Sequence, residues 1–219
     1  MFLITSTITI IAQDWPNLQR FQSENDSLHT LPSVDNRVVF MGNSITEGWD
    51  HHLPEFMAGK AYVNRGIGGQ TTPQMLCRFR QDVIDLKPHS VVILAGTNDV
   101  AGNTGPSSNK MIIDNIMSMA ELAHAHHIKV IICSIVPAYD YPWAEGKEPN
   151  IRIPAINAEL KTYAEKNKFI YLDYFSKMED GKNGLQKKYT YDGVHPDKKG
   201  YEVMAKLTES AIRKSFEKK

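Results

Sequence analysis

Four short polar clusters in this chain each follow an apolar run, and together they hold a nucleophile, a base, a carboxylate and several N–H donors. Ser44 closes the stretch VVFMGNS at 38–44, and Gly68 and Gly69 lie in RGIGGQTTP at 65–73. Asn98 lies in AGTND at 95–99, and Asp192 and His195 lie in YDGVHP at 191–196. A serine hydroxyl attacks an ester only if a base takes its proton, a third group orients that base, and N–H donors meet the oxyanion. Ser44 can attack and His195 can accept the proton. Asp192 stands three residues before His195, so one turn can bring its carboxylate to the second imidazole nitrogen. Asn98 offers a side-chain amide, and the backbone N–H groups of Ser44 and of one glycine complete an oxyanion hole. Each cluster also has a plain reading alone. Ser44 suits a helix N-cap, Asp192-Gly193 a turn, His195 a solvated side chain, and the glycines a tight strand-to-helix joint.

The elements between the clusters decide whether they can meet. Apolar runs at 37–41, 61–64, 90–94, 129–136 and 169–172 read as five strands. Helical spacing is present at 14–28, 72–86, 110–127, from Asn150 onward, and at 197–216. Asp14 reads as the cap of the first of these and Thr72-Pro73 as the start of the second. Strands alternating with helices predict an α/β protein with a parallel sheet covered on both faces. In such a sheet ligands bind at the carboxyl ends of the strands, which is where the four clusters fall. The 137–149 loop carries Tyr139, Tyr141 and Trp143, and the 177–188 segment is a polar, glycine-containing excursion. Tyr141 and Trp143 are candidate walls for a sugar-like substrate.

Composition narrows the partners. The 219 residues carry 25 Lys plus Arg against 25 Asp plus Glu, a formal net charge of zero. That balance offers no nucleic-acid footprint and no polybasic membrane patch. A small-molecule or glycan ester fits better, with no nucleic acid, no membrane insertion and an oligomeric state that the sequence does not specify. Cys77 and Cys133 form no metal-ligand array; Cys133 sits in a strand and reads as a buried small hydrophobe. His51-His52 and His124, His126 and His127 read as surface residues, so no metal is called for. Residues 1–13 read as a signal-peptide remnant or an extra strand, and 14–219 as one domain. The apolar run favours export to the periplasm or beyond, with cytoplasmic residence as the alternative. Against a leader, no Lys or Arg precedes the run, and Ile10 is not small for cleavage after Ala12.

Taken in order, Gly42-Asn43-Ser44-Ile45, the Gly68-Gly69 turn after Asn64, Gly96-Thr97-Asn98-Asp99 and Asp192-Gly193-Val194-His195-Pro196 resemble the sequence blocks of the SGNH, or GDSL-like, hydrolases. The resemblance runs from Val38 to the closing helix. It implies a flavodoxin-like three-layer sandwich around a five-stranded parallel sheet, and cofactor-free ester hydrolysis. It also implies Ser44 as nucleophile, His195 as base, Asp192 as its partner, and Ser44, Gly69 and Asn98 as the oxyanion hole. Gly69 is preferred to Gly68 because the family's glycine typically falls five positions after the block's Asn, here Asn64. Two positions depart from the family pattern, with Asn43 where Asp is usual and Ile45 where Leu is usual. Asp99 is expected to hydrogen-bond within its own loop.

The turn Gly66-Ile67-Gly68-Gly69-Gln70-Thr71-Thr72 most resembles the family's acetylhydrolase-like, carbohydrate-esterase branch. The expected function is therefore hydrolysis of short acyl, above all acetyl, esters on a carbohydrate, with activity rising as His195 deprotonates. A lysophospholipase or thioesterase is the alternative enzyme. A non-catalytic flavodoxin-like binding module holding FMN is the alternative class, and it leaves Asn98, Asp192 and His195 without a task.

Overall fold

The computed structural model describes residues 13–30 and 35–217. The readings made for residues 1–13 fall outside this range except at Gln13. In chain order the elements are α1 (Gln22–Thr30), β1 (Val38–Gly42), α2 (Ser44–Glu47), α3 (Trp49–His52), α4 (Pro54–Met57), β2 (Tyr62–Gly66) and α5 (Thr72–Phe79). They continue with β3 (Ser90–Leu94), α6 (Thr97–Ala101), α7 (Asn109–Ala125), β4 (Lys129–Cys133), α8 (Pro149–Lys166), β5 (Ile170–Leu172), α9 (Phe175–Met178) and α10 (Lys198–Phe216).

All four strand pairings are parallel, in the order β2-β1-β3-β4-β5. This is the flavodoxin-type order, in which the chain reverses its direction of travel between β1 and β3. The strands are apolar throughout because both faces are covered. Val39, Met41, Val91, Ile93, Val130 and Ile132 pack against α5, α7 and α8. The alternate residues Val38, Phe40, Val92, Leu94, Ile131 and Cys133 pack against α3, α4 and α10. The period of two along each strand thus divides one sheet between two cores.

Several element ends differ from the sequence expectation, each for a local reason. The stretch expected as one helix from Asp14 splits into a 3-10 turn, Leu18–Phe21, and α1. Asp14 still caps it, accepting from the N–H groups of Leu18 and Gln19 at 2.8 and 3.0 Å. β4 ends at Cys133 because the Asn157 side chain takes over the backbone of Ile135, accepting from its N–H at 2.8 Å and donating to its C=O at 3.0 Å. The cap of α5 is Thr71 rather than Thr72, in a capping box with Gln74. Beyond Phe79 that helix widens into a π turn, Arg80–Ile84. Helix α8 starts at Pro149 after a left-handed Glu148, which places Asn150 inside its first turn.

Two glycines let α2 sit directly on the strand ends. A Cβ at Gly66 would stand 2.0 Å from the Glu47 backbone nitrogen, and one at Gly42 would stand 2.7 Å from the Leu94 carbonyl oxygen. Helix α10 holds α2 from the other side. The Tyr201 hydroxyl donates to the Ile45 carbonyl at 2.7 Å, and its ring meets Trp49 edge-on at 4.8 Å. Among the described residues no helix is long and apolar enough to cross a membrane.

Candidate active site

Ser44 is the first residue of α2, immediately beyond β1. Asn43 is the N-cap, and its side-chain oxygen accepts from the Ile45 N–H at 3.1 Å. The amide standing where the family usually has Asp therefore does the capping. The Ser44 N–H belongs to the first turn, whose donors have no acceptor within the helix and carry the positive end of its dipole.

The Ser44 Oγ lies 3.1 Å from His195 Nε2, and His195 Nδ1 lies 2.7 Å from Asp192 Oδ2. The loop before α10 is built to hold this pair. Asp192 Oδ1 accepts from the N–H groups of Val194 and His195 at 2.9 and 2.7 Å. Thr190 Oγ1 donates to the His195 carbonyl at 2.7 Å and accepts from the Gly193 N–H at 2.9 Å. Partial burial raises the Asp192 carboxyl, but the N–H groups of His195 and Val194 and the imidazole outweigh it and hold the pKa below the usual range. Asp192 is thus an anion facing the ring nitrogen that a proton-accepting His195 must keep protonated.

Opposite Ser44, the loop after β2 and the loop after β3 are stitched together. Asn98 Nδ2 donates to the Gln70 carbonyl at 3.0 Å, which fixes its amide and leaves the second N–H available. Asn103 Nδ2 donates to the Gly69 carbonyl at 3.1 Å. Asp99 bonds within its own segment, to its own backbone N–H and through its carbonyl to the Ser107 hydroxyl at 2.6 Å, and also reaches across to the other loop. Its Oδ1 accepts from the Thr72 hydroxyl at 2.6 Å, and both of its oxygens lie 3.0 Å from the Thr72 nitrogen. Burial pushes the Asp99 carboxyl up to about 6, against the pull of these bonds. The N–H of Gly68 donates to Glu47 Oε2 at 3.0 Å. Gly69, the next residue, lies in the left-handed region at φ 77°.

The two expected substrate-wall aromatics separate. Trp143 is exposed, with its ring 5.7 Å from the imidazole. Tyr141 is fully buried. Its hydroxyl bonds Thr97 Oγ1 at 2.9 Å and its ring backs Trp143 at 5.2 Å, so it supports the wall without forming its surface. The outer aromatic that the sequence reading passed over is Tyr191, 65% exposed and parallel to His195 at 6.0 Å. Its place next to Asp192 was the available sign. Thr190 was also passed over, although a Thr two residues before an Asp is a turn pattern. His52 stacks on Tyr201 at 5.0 Å, while His124, His126 and His127 are exposed. Among the described residues no cluster of His, Cys, Asp or Glu could hold a metal. Both cysteines are free, Cys133 buried and Cys77 exposed.

A serine, imidazole and carboxylate in hydrogen-bond sequence at the β1/β3 reversal of a parallel sheet is the arrangement of a serine-type ester hydrolase. Comparison with known proteins agrees. The model of the GDSL-like Lipase/Acylhydrolase family matches residues 40–203, which span both Ser44 and His195. A candidate acylhydrolase from Bacteroides fragilis is 47% identical, with a TM-score of 0.90 over 94% of this chain and 100% of that one. Esterase TesA of Pseudomonas aeruginosa is 29% identical over 169 residues, 74% of this chain and 76% of TesA. The lipoprotein YqeF of Bacillus subtilis is 33% identical over 119 residues, and the match spans 48% of its length. The chain belongs to the GDSL-like lipase/acylhydrolase family and so to the carboxylic ester hydrolases.

Proposed function

We propose that this protein is a serine esterase that removes short acyl groups, chiefly acetyl, from a carbohydrate. The observation that carries the reading is the Ser44 Oγ to His195 Nε2 to Asp192 hydrogen-bond chain. Ser44 attacks the ester carbonyl as His195 takes its proton, and Asp192 stabilises the imidazolium. The oxyanion is met by the Ser44 and Gly69 N–H groups and the Asn98 amide. Collapse expels the alcohol, which takes the proton from His195 and leaves an acetyl-Ser44 ester. Water, deprotonated by His195, then attacks that ester, releases acetate and restores the hydroxyl.

Support for a polar alcohol comes from the surroundings. The cleft on the Glu47 side mixes the charged Arg20, Glu24 and Asp50 with the apolar Phe21, Leu28 and Met57, and its charged groups suit a polar alcohol. The exposed Trp143 and Tyr191 beside His195 offer faces on which a sugar ring can stack. Export fits a polymer substrate. The apolar run over 2–12 and the lipoprotein nature of the B. subtilis relative support it, and N-terminal sequencing of the mature protein tests it.

The test is hydrolysis of p-nitrophenyl acetate, of longer p-nitrophenyl esters and of acetylated xylo-oligosaccharide, with Ser44→Ala alongside. The expected result is a preference for acetate, release of acetate from the sugar, and a loss of about a thousandfold or more in kcat for the variant. Preference for long chains would move the substrate to lipids. Undiminished activity in Ser44→Ala would remove the nucleophile from the scheme.

A further inference from the structure

The triad loop has a second cleft on its other side. It is about 490 Å³ and lies between the 137–149 loop and the 177–188 excursion. Tyr139, Asp180, Lys182, Lys187, Tyr191 and Gly193 are among the residues that line it. Tyr139 and Tyr191 are 59% and 65% exposed, so two large aromatic faces are held open to solvent here. The same Tyr191 stands parallel to the His195 ring at 6.0 Å, so one lining aromatic also borders the imidazole.

The excursion that carries the lysines is a braced hairpin. The Asp180 N–H donates to the Gly184 carbonyl at 2.9 Å, and the Gln186 N–H to the Met178 carbonyl at 3.0 Å. The Asn183 side chain anchors it to α8 by donating to the Asn150 carbonyl at 2.9 Å. Asp180, the one carboxylate among the lining residues, accepts from the backbone N–H groups of Lys182 and Gly184 at 2.9 and 3.0 Å. Among the described residues neither Lys182 nor Lys187 has a carboxylate within ion-pair distance. Lys182 helps to hold the Asp180 carboxyl below its usual range, and the neighbouring Asp192 is engaged with His195, so the lining residues carry a net charge of plus one, centred on Lys187. On the Glu47 side the balance is reversed, with Glu24, Glu47 and Asp50 against Arg20 and Arg65. An anionic chain laid across Ser44 is drawn to one side and turned away from the other.

We propose that the Tyr139–Tyr191 cleft is a subsite for a carboxylated sugar, a uronic acid residue of the chain that bears the acetyl ester. The two tyrosines pack on pyranose faces, and Lys182 and Lys187 take the carboxylate. The proposal rests on the acetyl-carbohydrate reading of the same site. It gives the excursion and Tyr139 a task and sets which part of the substrate points away from Glu47.

The experiment compares kcat/KM on an O-acetylated oligogalacturonide, an acetylated xylo-oligosaccharide and p-nitrophenyl acetate, for the wild type and for Lys182→Gln/Lys187→Gln. In parallel, calorimetry measures binding of an unacetylated oligogalacturonide to Ser44→Ala, with and without the two lysine changes, at low and high salt. The expected result is about a tenfold preference for the uronate substrate, the scale of two exposed ion pairs. The double variant loses that preference and keeps its rate on p-nitrophenyl acetate. Uronate binding to Ser44→Ala weakens with salt and with the lysine changes. Equal turnover of uronate and neutral substrates, or a preference that survives the double variant, overturns the subsite. Activity on p-nitrophenyl acetate with none on any acetylated sugar overturns the carbohydrate reading. In that case the calorimetry judges the cleft by itself: salt-sensitive uronate binding upholds it, and no binding overturns it.

Discussion

Asp99 neighbours Asn98 in sequence but acts on the opposite loop. By holding the Thr72 N–H and hydroxyl it sets the spacing between the Gly69 backbone and the Asn98 amide. It is a positioning residue, since it has no contact with Ser44 or His195. Asp99→Asn keeps one acceptor oxygen and loses the other. The expected effect is a kcat about three- to tenfold lower with little change in KM, the scale of one hydrogen bond. Stability gives an independent reading. Burial raises the folded-state pKa of Asp99 from 3.8 to about 6, so the folded protein holds this proton more tightly than the unfolded chain. The stability linked to it is fully present below about pH 3.8 and is lost as pH rises through about 6. The asparagine variant has no such dependence. Thermal melts across pH 4 to 8 should therefore show the wild type gaining on Asp99→Asn as pH falls, and a constant difference would remove the burial argument.

At the scale of elements, α10 brackets both halves of the Ser–His pair. Its cap, Asp197, follows His195-Pro196 directly and accepts from the Gly200 N–H at 3.0 Å. One turn further on, Tyr201 donates to the Ile45 carbonyl of α2, the helix that begins at Ser44. Tyr201→Phe keeps the ring against Trp49 and removes only the hydroxyl. We expect a destabilisation of about 1 kcal/mol by chemical denaturation, with a kcat deficit of severalfold on p-nitrophenyl acetate. An unchanged kcat would show that the serine helix holds its place without this bond. The five strands were legible in the sequence, because both-faced burial demands the continuous apolar runs that mark them, whereas their flavodoxin-like arrangement followed only from the family resemblance. The four clusters were legible for the same reason, since each sits where such a run stops. The cross-loop bonds of Asp99, Asn103 and Tyr201 were not, because they join residues 27, 34 and 156 positions from their partners. Nothing in a local period encodes such a distance. Tyr141 was misplaced on the surface for a related reason: an aromatic in a loop carries no mark of which way it turns until its Thr97 partner is known.

At the scale of the whole molecule, the loop after β2, which carries Gly69, rests on a buried ionic layer that reaches back to α1. Arg78 is fully buried and donates to the Gln70 side chain at 2.6 Å, and to the carbonyls of Gly42 and Arg65 at 3.1 and 2.8 Å. It thereby clamps the ends of β1 and β2 and the loop that follows β2. Its counterion is Asp82, one helical turn on and likewise buried, at 2.9 Å. Asp82 also accepts from Asn25 Nδ2 at 2.8 Å, and Asn25 Oδ1 accepts from Arg65 at 2.7 Å, which docks α1 onto the same network. Burial lowers the pKa of both guanidiniums, and Asp82 is among the groups that oppose the shift. Removing that carboxylate strands a buried cation, whereas removing the cation's charge along with it does not. Asp82→Ala should cost about 3–5 kcal/mol in denaturant unfolding. Asp82→Ala/Arg78→Met should recover part of that loss, because a hydrophobic side chain of similar length replaces the unpaired charge. Recovery of stability without recovery of kcat is the expected pair of results, since the methionine cannot hold Gln70 or the two strand-end carbonyls. Equal stability of the single and double variants would mean that Arg78 serves the fold only through its bonds to those carbonyls, with its pairing to Asp82 contributing little.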